Sequence, residues 1–188
     1  MALSSIALCS RALLKIGTRS ISSFDEGTAE AEVASSLYSP IRDALLSLHS
    51  WSFATAQTTL PRLDVTPVAD YQYAFQMPSD FLRVLSAGAG RGHGLDYRIQ
   101  EKRLHTNVPE VVLSYVFRPD ETDFPPFFDQ ALISRLAAEF CIPLTDSTSR
   151  AETLLKIAEA ETKRARITDT MQETTQAIED FALIKARG

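Results

Sequence analysis

The amino-acid sequence predicts an α+β domain that is mainly helical. We expect an antiparallel bundle of about four helices with a small β-sheet inserted between the second and third helices. In the first and last thirds of the chain, apolar residues recur every three or four positions, as they do on the buried face of a helix. In the middle third, prolines separate short runs of β-branched and aromatic residues, which favour strands.

Two helices are predicted before the β-rich region. The first covers residues 3–16, and Gly17 follows it where a left-handed residue would end a helix. Thr28 is the predicted N-cap of the second helix, which extends to about residue 49. Pro40 lies inside this second pattern. Because proline lacks a backbone N–H, we expect a kink or a break near Leu37.

The rest of the chain predicts strands and then two more helices. Helical spacing resumes at Phe127 and is expected to stop at Pro143, and Ser147 or Thr148 is expected to cap a last helix. The predicted strands cover residues 71–75, 95–99, 103–106 and 111–117. We therefore assign a single domain, 1–188, with a helical bundle (1–54 and 124–167), a β-rich insertion (55–118) and a C-terminal tail (168–188).

The residue types that carry chemistry show no recognisable spacing. The glycine-rich residues 87–94 match neither the dinucleotide-binding nor the P-loop pattern, and we interpret them as a flexible loop whose Arg91 and His93 contact a partner protein. Cys9 and Cys141 fall in apolar helical patterns and are predicted to be free buried thiols. We assign no catalytic, cofactor-binding or metal-binding residue. A Cys–His pair and a converging pair of carboxylates stay open as minor alternatives.

Charge and hydropathy argue against two classes of partner. The formal net charge of −5 is unlike that of a dedicated nucleic-acid binder, which carries a basic face. No run of apolar residues approaches the length of a membrane span, and the N-terminus is interpreted as the first helix rather than a signal peptide.

Aromatic residues mark the predicted core. Trp51 and Phe53 follow the second helix, where large rings anchor the junction between a helix and a strand. Tyr71, Tyr73 and Phe75 have no basic residues interleaved, so strand packing is preferred over stacking on single-stranded nucleic acid. The predicted core residues are Tyr38, Leu45, Trp51, Phe53, Tyr73 and Phe75.

The C-terminal tail combines a threonine-rich polar stretch with a late apolar cluster. That cluster consists of Ile178, Phe181, Leu183 and Ile184. A tail of this kind either folds back onto its own bundle or becomes ordered on another chain, and both alternatives remain open.

Several sequence elements resemble, in the same order, those of the head–tail adaptor (connector) family of tailed bacteriophages, the tail tubular protein A-like connectors. The elements are ALLKIG (12–17), ISSFDE (21–26), LYSPIRDALL (37–46), HSWSFA (49–54), YAFQMPSD (73–80) and AAEF (137–140). They span most of the chain. The family usually shows Pro-Trp-Asn-Phe-Ala where this chain has Ser50-Trp51-Ser52-Phe53-Ala54.

The resemblance implies a structural protein and not an enzyme. Such an adaptor forms a ring, expected to be a dodecamer, beneath the portal protein. The ring extends the DNA channel without sequence-specific binding and provides the attachment platform for a tail or stopper protein. The implied location is the head–tail interface of a virion or phage-like particle assembled in the bacterial cytoplasm, from a phage, a prophage or a gene transfer agent. Ile178, Phe181, Leu183 and Ile184 are the expected portal-docking residues. The alternative is a particle-associated peptidoglycan-degrading enzyme.

Overall fold

The computed structural model describes residues 3–89 and 93–172. Within these residues, two helices precede seven strands and two helices follow them. The helices are α1 (Ser5–Lys15), α2 (Ala29–Ser47), α3 (Pro126–Thr145) and α4 (Thr148–Thr170). The strands are β1 (Thr55–Thr59), β2 (Arg62–Leu63), β3 (Tyr73–Gln76), β4 (Phe81–Gly88), β5 (Tyr97–Gln100), β6 (Arg103–Thr106) and β7 (Val112–Phe117). Single 3₁₀ turns at Ser52–Ala54 and Glu121–Asp123 precede β1 and α3.

The two N-terminal helices begin and end as their sequences predict. Thr28 caps α2, and its side chain accepts a hydrogen bond from the backbone N–H of Ala31. Gly17 follows α1 with a φ of +79°, a backbone conformation that favours glycine.

Neither internal proline interrupts its helix: of the kink or break expected near Leu37, the break does not occur, and the stop expected at Pro143 is wrong. Helix α2 runs through Pro40 to Ser47, and α3 runs through Pro143 to Thr145, after which the C-cap Asp146 adopts a left-handed conformation. Both prolines are exposed. A carbonyl that loses its helical partner on the solvent side can bond to water instead, which lowers the cost of the proline.

The predicted architecture, a bundle with one small sheet, is wrong. The structure is an α+β fold in which two antiparallel sheets lie between the helices along the chain. The first sheet has the strand order β1-β7-β4, and the second has the order β2-β3-β6-β5. Three strands were not predicted: β1 and β2, which contain few large apolar residues, and β4, in which two irregularities disturb the alternation of side chains.

The first sheet separates two apolar cores. Val116 on β7 joins a core built from the helices, and Leu82 and Leu85 on β4 pack against the same core. Leu113 and Tyr115 on β7 point the other way, because side chains alternate along a strand, and they join a second core shared with Phe75 and Leu104 of the second sheet. The layers therefore follow the order helices, first sheet, second sheet.

Helix α3 is the centre of the helical layer. The other three helices all contact it, and half of its residues are buried, including Phe128, Leu132, Leu136 and Phe140. Helix α4 packs along α3 through the small residues Ala151, Ala158 and Ala165. Residues 168–170, which the sequence assigned to the tail, lie in α4.

Candidate assembly surfaces

The two thiols lie in the helical core of the described residues. Cys9 and Cys141 are free and buried, as predicted, and burial raises the pKa of the Cys9 thiol to about 12, so that thiol is protonated at neutral pH. Within residues 3–89 and 93–172, no group of three or more His, Cys, Asp or Glu side chains is arranged to hold a metal ion. Both cysteines contribute to the helical core.

Trp51 is the central aromatic residue of the helical layer. It is fully buried, and its indole Nε1–H donates a hydrogen bond of 3.1 Å to the backbone carbonyl of Leu45. Its ring lies edge-on to Phe128, with 5.1 Å between centroids, and Phe53 lies half-buried 6.1 Å away. The sequence HSWSFA thus forms the corner at which α2 ends and the chain enters β1.

A buried carboxylate holds this corner to the end of α4. Asp169 is 2% exposed and accepts hydrogen bonds from Ser52, at 3.0 Å from the backbone N–H and 2.7 Å from Oγ. His49 Nε2 lies 3.5 Å from the same carboxylate. Sequence reasoning missed this contact, because Asp169 fell in the polar stretch assigned to the tail and its partner lies 117 residues away. Because the backbone N–H and the hydroxyl of Ser52 both lie within hydrogen-bonding distance of the carboxylate, the arrangement acts as a structural clamp.

An ion-pair network connects α2 to the segment between β7 and α3. Arg118 Nη2 lies 2.6 Å from Asp43 Oδ2, and Arg42 contacts Asp43 and Glu121, each at 3.0 Å. The Tyr38 hydroxyl donates to Glu121 at 3.0 Å. Burial alone would raise the pKa of Asp43, but the hydrogen bonds from Arg118 and Arg42 lower it below its ordinary value. Tyr38, Arg42 and Asp43 all belong to the element LYSPIRDALL.

The other predicted core residues occupy both cores. Tyr38 and Leu45 are buried in the helical core. Phe75 is 1% exposed in the second core, and Tyr73 packs half-buried at its border beneath the guanidinium of Arg62, 4.1 Å from the ring centroid.

The residues predicted to contact partners lie mostly outside the described residues. His93 is exposed between β4 and β5, whereas Arg91 falls in the gap at 90–92. The predicted portal-docking residues lie beyond residue 172. They are Ile178, Phe181, Leu183 and Ile184.

Asp129, in the first turn of α3, has an unusual environment. Its Oδ1 atom is buried and accepts no hydrogen bond from the described part of the chain. Burial raises the pKa of this carboxyl to about 6, although the positive charge of Arg11 acts in the opposite direction. The protonated form is therefore populated in mildly acidic solution.

A groove of about 660 Å³ lies between α2 and α4, with α3 at its base. Helix α2 provides an apolar wall, and α4 provides a wall rich in charged side chains. We call it the α2–α4 groove. Its lining includes Ile41, Leu45, Leu48, Arg135, Lys163 and Arg166.

Comparison with known proteins adds no family assignment: no family model matches the chain, and no curated protein matches it significantly. Among the residues that the structure describes, we find no helix long and apolar enough to cross a membrane.

Proposed function

We propose that this protein is a structural head–tail adaptor that forms a ring beneath a portal protein. One observation supports the proposal more than the others. Segments far apart in sequence that resemble the adaptor family contribute to the same helical core, among them Leu13, Ile21, Leu46, Trp51 and Ala137. If these motifs encode one fold, we expect them to occur in the family's order and to pack into the same core.

A ring of identical chains requires a heterologous interface, in which one patch of each subunit contacts a different patch of its neighbour. We propose that the polar outer flanks of α2 and α4 form much of this interface. Both helices pack against α3, and each retains an exposed side available to a neighbour. The proposed partners are further copies of this chain, as a dodecamer, the portal protein, and a tail or stopper protein.

The proposed location is the head–tail interface of a virion or phage-like particle, where DNA passes through the ring without sequence-specific contacts. In this proposal the protein is not an enzyme. A muralytic assay on the purified chain tests the alternative activity, and lysis of peptidoglycan that survives repurification would favour the enzyme.

The ring is tested by mixing the protein with its portal and imaging the complex by electron microscopy. We expect a ring of about twelve subunits coaxial with the portal, because closed cyclic symmetry repeats one heterologous contact. A single copy, or a pair related by a two-fold axis, would contradict the ring.

The tail is tested by deletion of residues 176–188. Docking of its apolar side chains would contribute about 1.5–3 kcal/mol for each residue that becomes fully buried. We therefore expect the shortened chain to keep its helical circular dichroism but to stop co-sedimenting with portal. Normal assembly of the shortened chain would place the docking surface elsewhere.

A further inference from the structure

The apolar wall of the α2–α4 groove has the spacing of a helix-binding surface. Ile41, Leu45 and Leu48 lie at positions i, i+4 and i+7 and therefore share one face of the chain around α2. Leu48 is 59% exposed and Ile41 is half-buried, whereas Leu45 is 3% exposed and belongs to the core beneath the groove. Apolar grooves of this kind bind amphipathic helices that present apolar side chains at matching intervals.

The charged wall of the groove has unmatched positive charge. Arg135 is paired with Glu139 at 2.6 Å, but Lys163 and Arg166 form no ion pair within residues 3–89 and 93–172. The Nε atom of Arg166 is buried, and no acceptor among the described residues bonds to it. A buried donor without an acceptor is costly, so Arg166 favours an occupant that carries a carboxylate.

The chain leaves α4 at one end of this groove. Gln172, the last described residue, has its Oε1 atom 3.3 Å from Ser52 Oγ, whose hydroxyl lies 2.7 Å from its nearer acceptor on Asp169. Leu48, which lines the groove, ends α2 four residues before Ser52. Gln172 therefore lies near the Leu48 end of the groove.

We propose that, in the free chain, residues 177–185 bind the α2–α4 groove of their own subunit as a helix antiparallel to α4. Ile178, Phe181 and Ile184 follow at intervals of three residues and would lie on one side of such a helix. A helix of this length and the groove wall from Ala158 to Arg166 have the same number of residues, so each extends about 12 Å by the rise of an α-helix. Residues 173–176 are enough for the reversing turn, since connections between packed helices commonly need only a few residues.

The order of charges agrees with this direction. Along the tail Asp180 comes before Lys185, and they are about 7.5 Å apart on a helix. Along α4 Glu159 comes before Lys163, and they are about 6 Å apart. An antiparallel arrangement therefore brings Asp180 to the level of Lys163 and Arg166 along the groove, and Lys185 to the level of Glu159.

The occupant is assigned to the same chain because a short linker keeps the tail near the groove. A flexible connection of a few residues gives an effective concentration of roughly millimolar, well above that of a second molecule in dilute solution. This inference concerns the free protein and does not depend on the adaptor function. If the chain is an adaptor, the tail must leave its own groove to reach the portal.

The test is amide hydrogen exchange on the full-length chain, read by mass spectrometry over residues 177–184. We expect these amides to be protected from exchange in the unmodified protein. In Leu48→Glu we expect their protection to fall by about tenfold or more. The matched control is Leu14→Glu, because Leu14 is 61% exposed and lies on α1, outside the groove. Exchange in α3, together with helical circular dichroism, verifies that each variant is folded.

A charge exchange tests the register. Lys163→Asp should weaken the protection, and combining it with Asp180→Lys should restore it. The proposal is overturned if the amides of residues 177–184 exchange freely in the unmodified protein. It is also overturned if these amides are equally protected in the Leu48→Glu and Leu14→Glu variants. It is also overturned if protection increases with protein concentration across a hundredfold range, because the occupant is then the tail of another copy.

Discussion

Replacement of Trp51 by alanine is the most direct test of the helical core. The indole is fully buried, lies edge-on to Phe128 and donates a hydrogen bond to the carbonyl of Leu45. Truncation of a buried Trp to Ala costs about 3–5 kcal/mol, because burial is lost and a cavity remains.

Urea denaturation followed by far-ultraviolet circular dichroism measures this cost. Thermal denaturation gives a second measure of the same cost. For a domain of this size, a loss of 1 kcal/mol in the free energy of unfolding lowers the melting temperature by about 2–4 °C, so we expect a fall of roughly 6–20 °C. Trp51→Phe retains an aromatic ring but loses the hydrogen bond to Leu45. The stability of the Trp51→Phe variant should therefore lie between that of the unmodified protein and that of Trp51→Ala.

One result would refute the assignment of Trp51 to the core. If Trp51→Ala keeps the unmodified urea midpoint and melting temperature but fails to assemble on portal, the residue acts at an interface. Leu14→Ala is the control for an exposed position, where substitutions usually change stability by less than about 0.5 kcal/mol.

Three further predictions concern carboxylates. The pKa of Asp129 is about 6 in the folded chain, against an ordinary value of 3.8. Between about pH 4 and 6 the folded chain therefore keeps a proton that the unfolded chain releases, so stability should fall as pH rises through this range. Asp129→Asn should flatten this part of the stability profile, measured by urea midpoints at several pH values. The lowered pKa of Asp43 makes stability depend on pH in the opposite direction. Ionised Asp43 stabilises the fold above its ordinary pKa, and this stabilisation is lost as pH falls. Arg118→Ala should therefore reduce the loss of stability below about pH 4. Asp169→Ala should destabilise the chain by about 1–3 kcal/mol in urea denaturation, because the backbone N–H and the hydroxyl of Ser52 lose their acceptor.

Local chemistry accounts for the features that could be predicted from sequence. Thr28 was recognisable as an N-cap because the polar side chain comes directly before an apolar helical pattern. Trp51 was recognisable as core because a large ring at the end of an amphipathic helix has little alternative to burial. Strand β6, residues 103–106, was predicted with its observed bounds.

Features that depend on long-range packing could not be predicted in this way. The glycine-containing end of β4 looked like a loop, and only pairing with β7 extends the strand through Gly88. Asp169 looked like part of a solvated tail, and only the folded chain brings Ser52 to it. The α2–α4 groove likewise requires the relative positions of three helices, which helical periodicity alone does not determine.

The way the chain enters and leaves the two sheets has a consequence for protein engineering. β1 and β7 are neighbouring antiparallel strands, and Thr55 is paired with Val116. The paired Cα atoms of such strands are only about 4.5–5.5 Å apart. The outer sheet can therefore be enlarged, trimmed or exchanged without changing the distance between the two ends that the helices must connect. A library that varies exposed residues within 62–76 and 97–106, which hold the strands of the second sheet and leave out β4, would sample new exterior surfaces on an unchanged helical base.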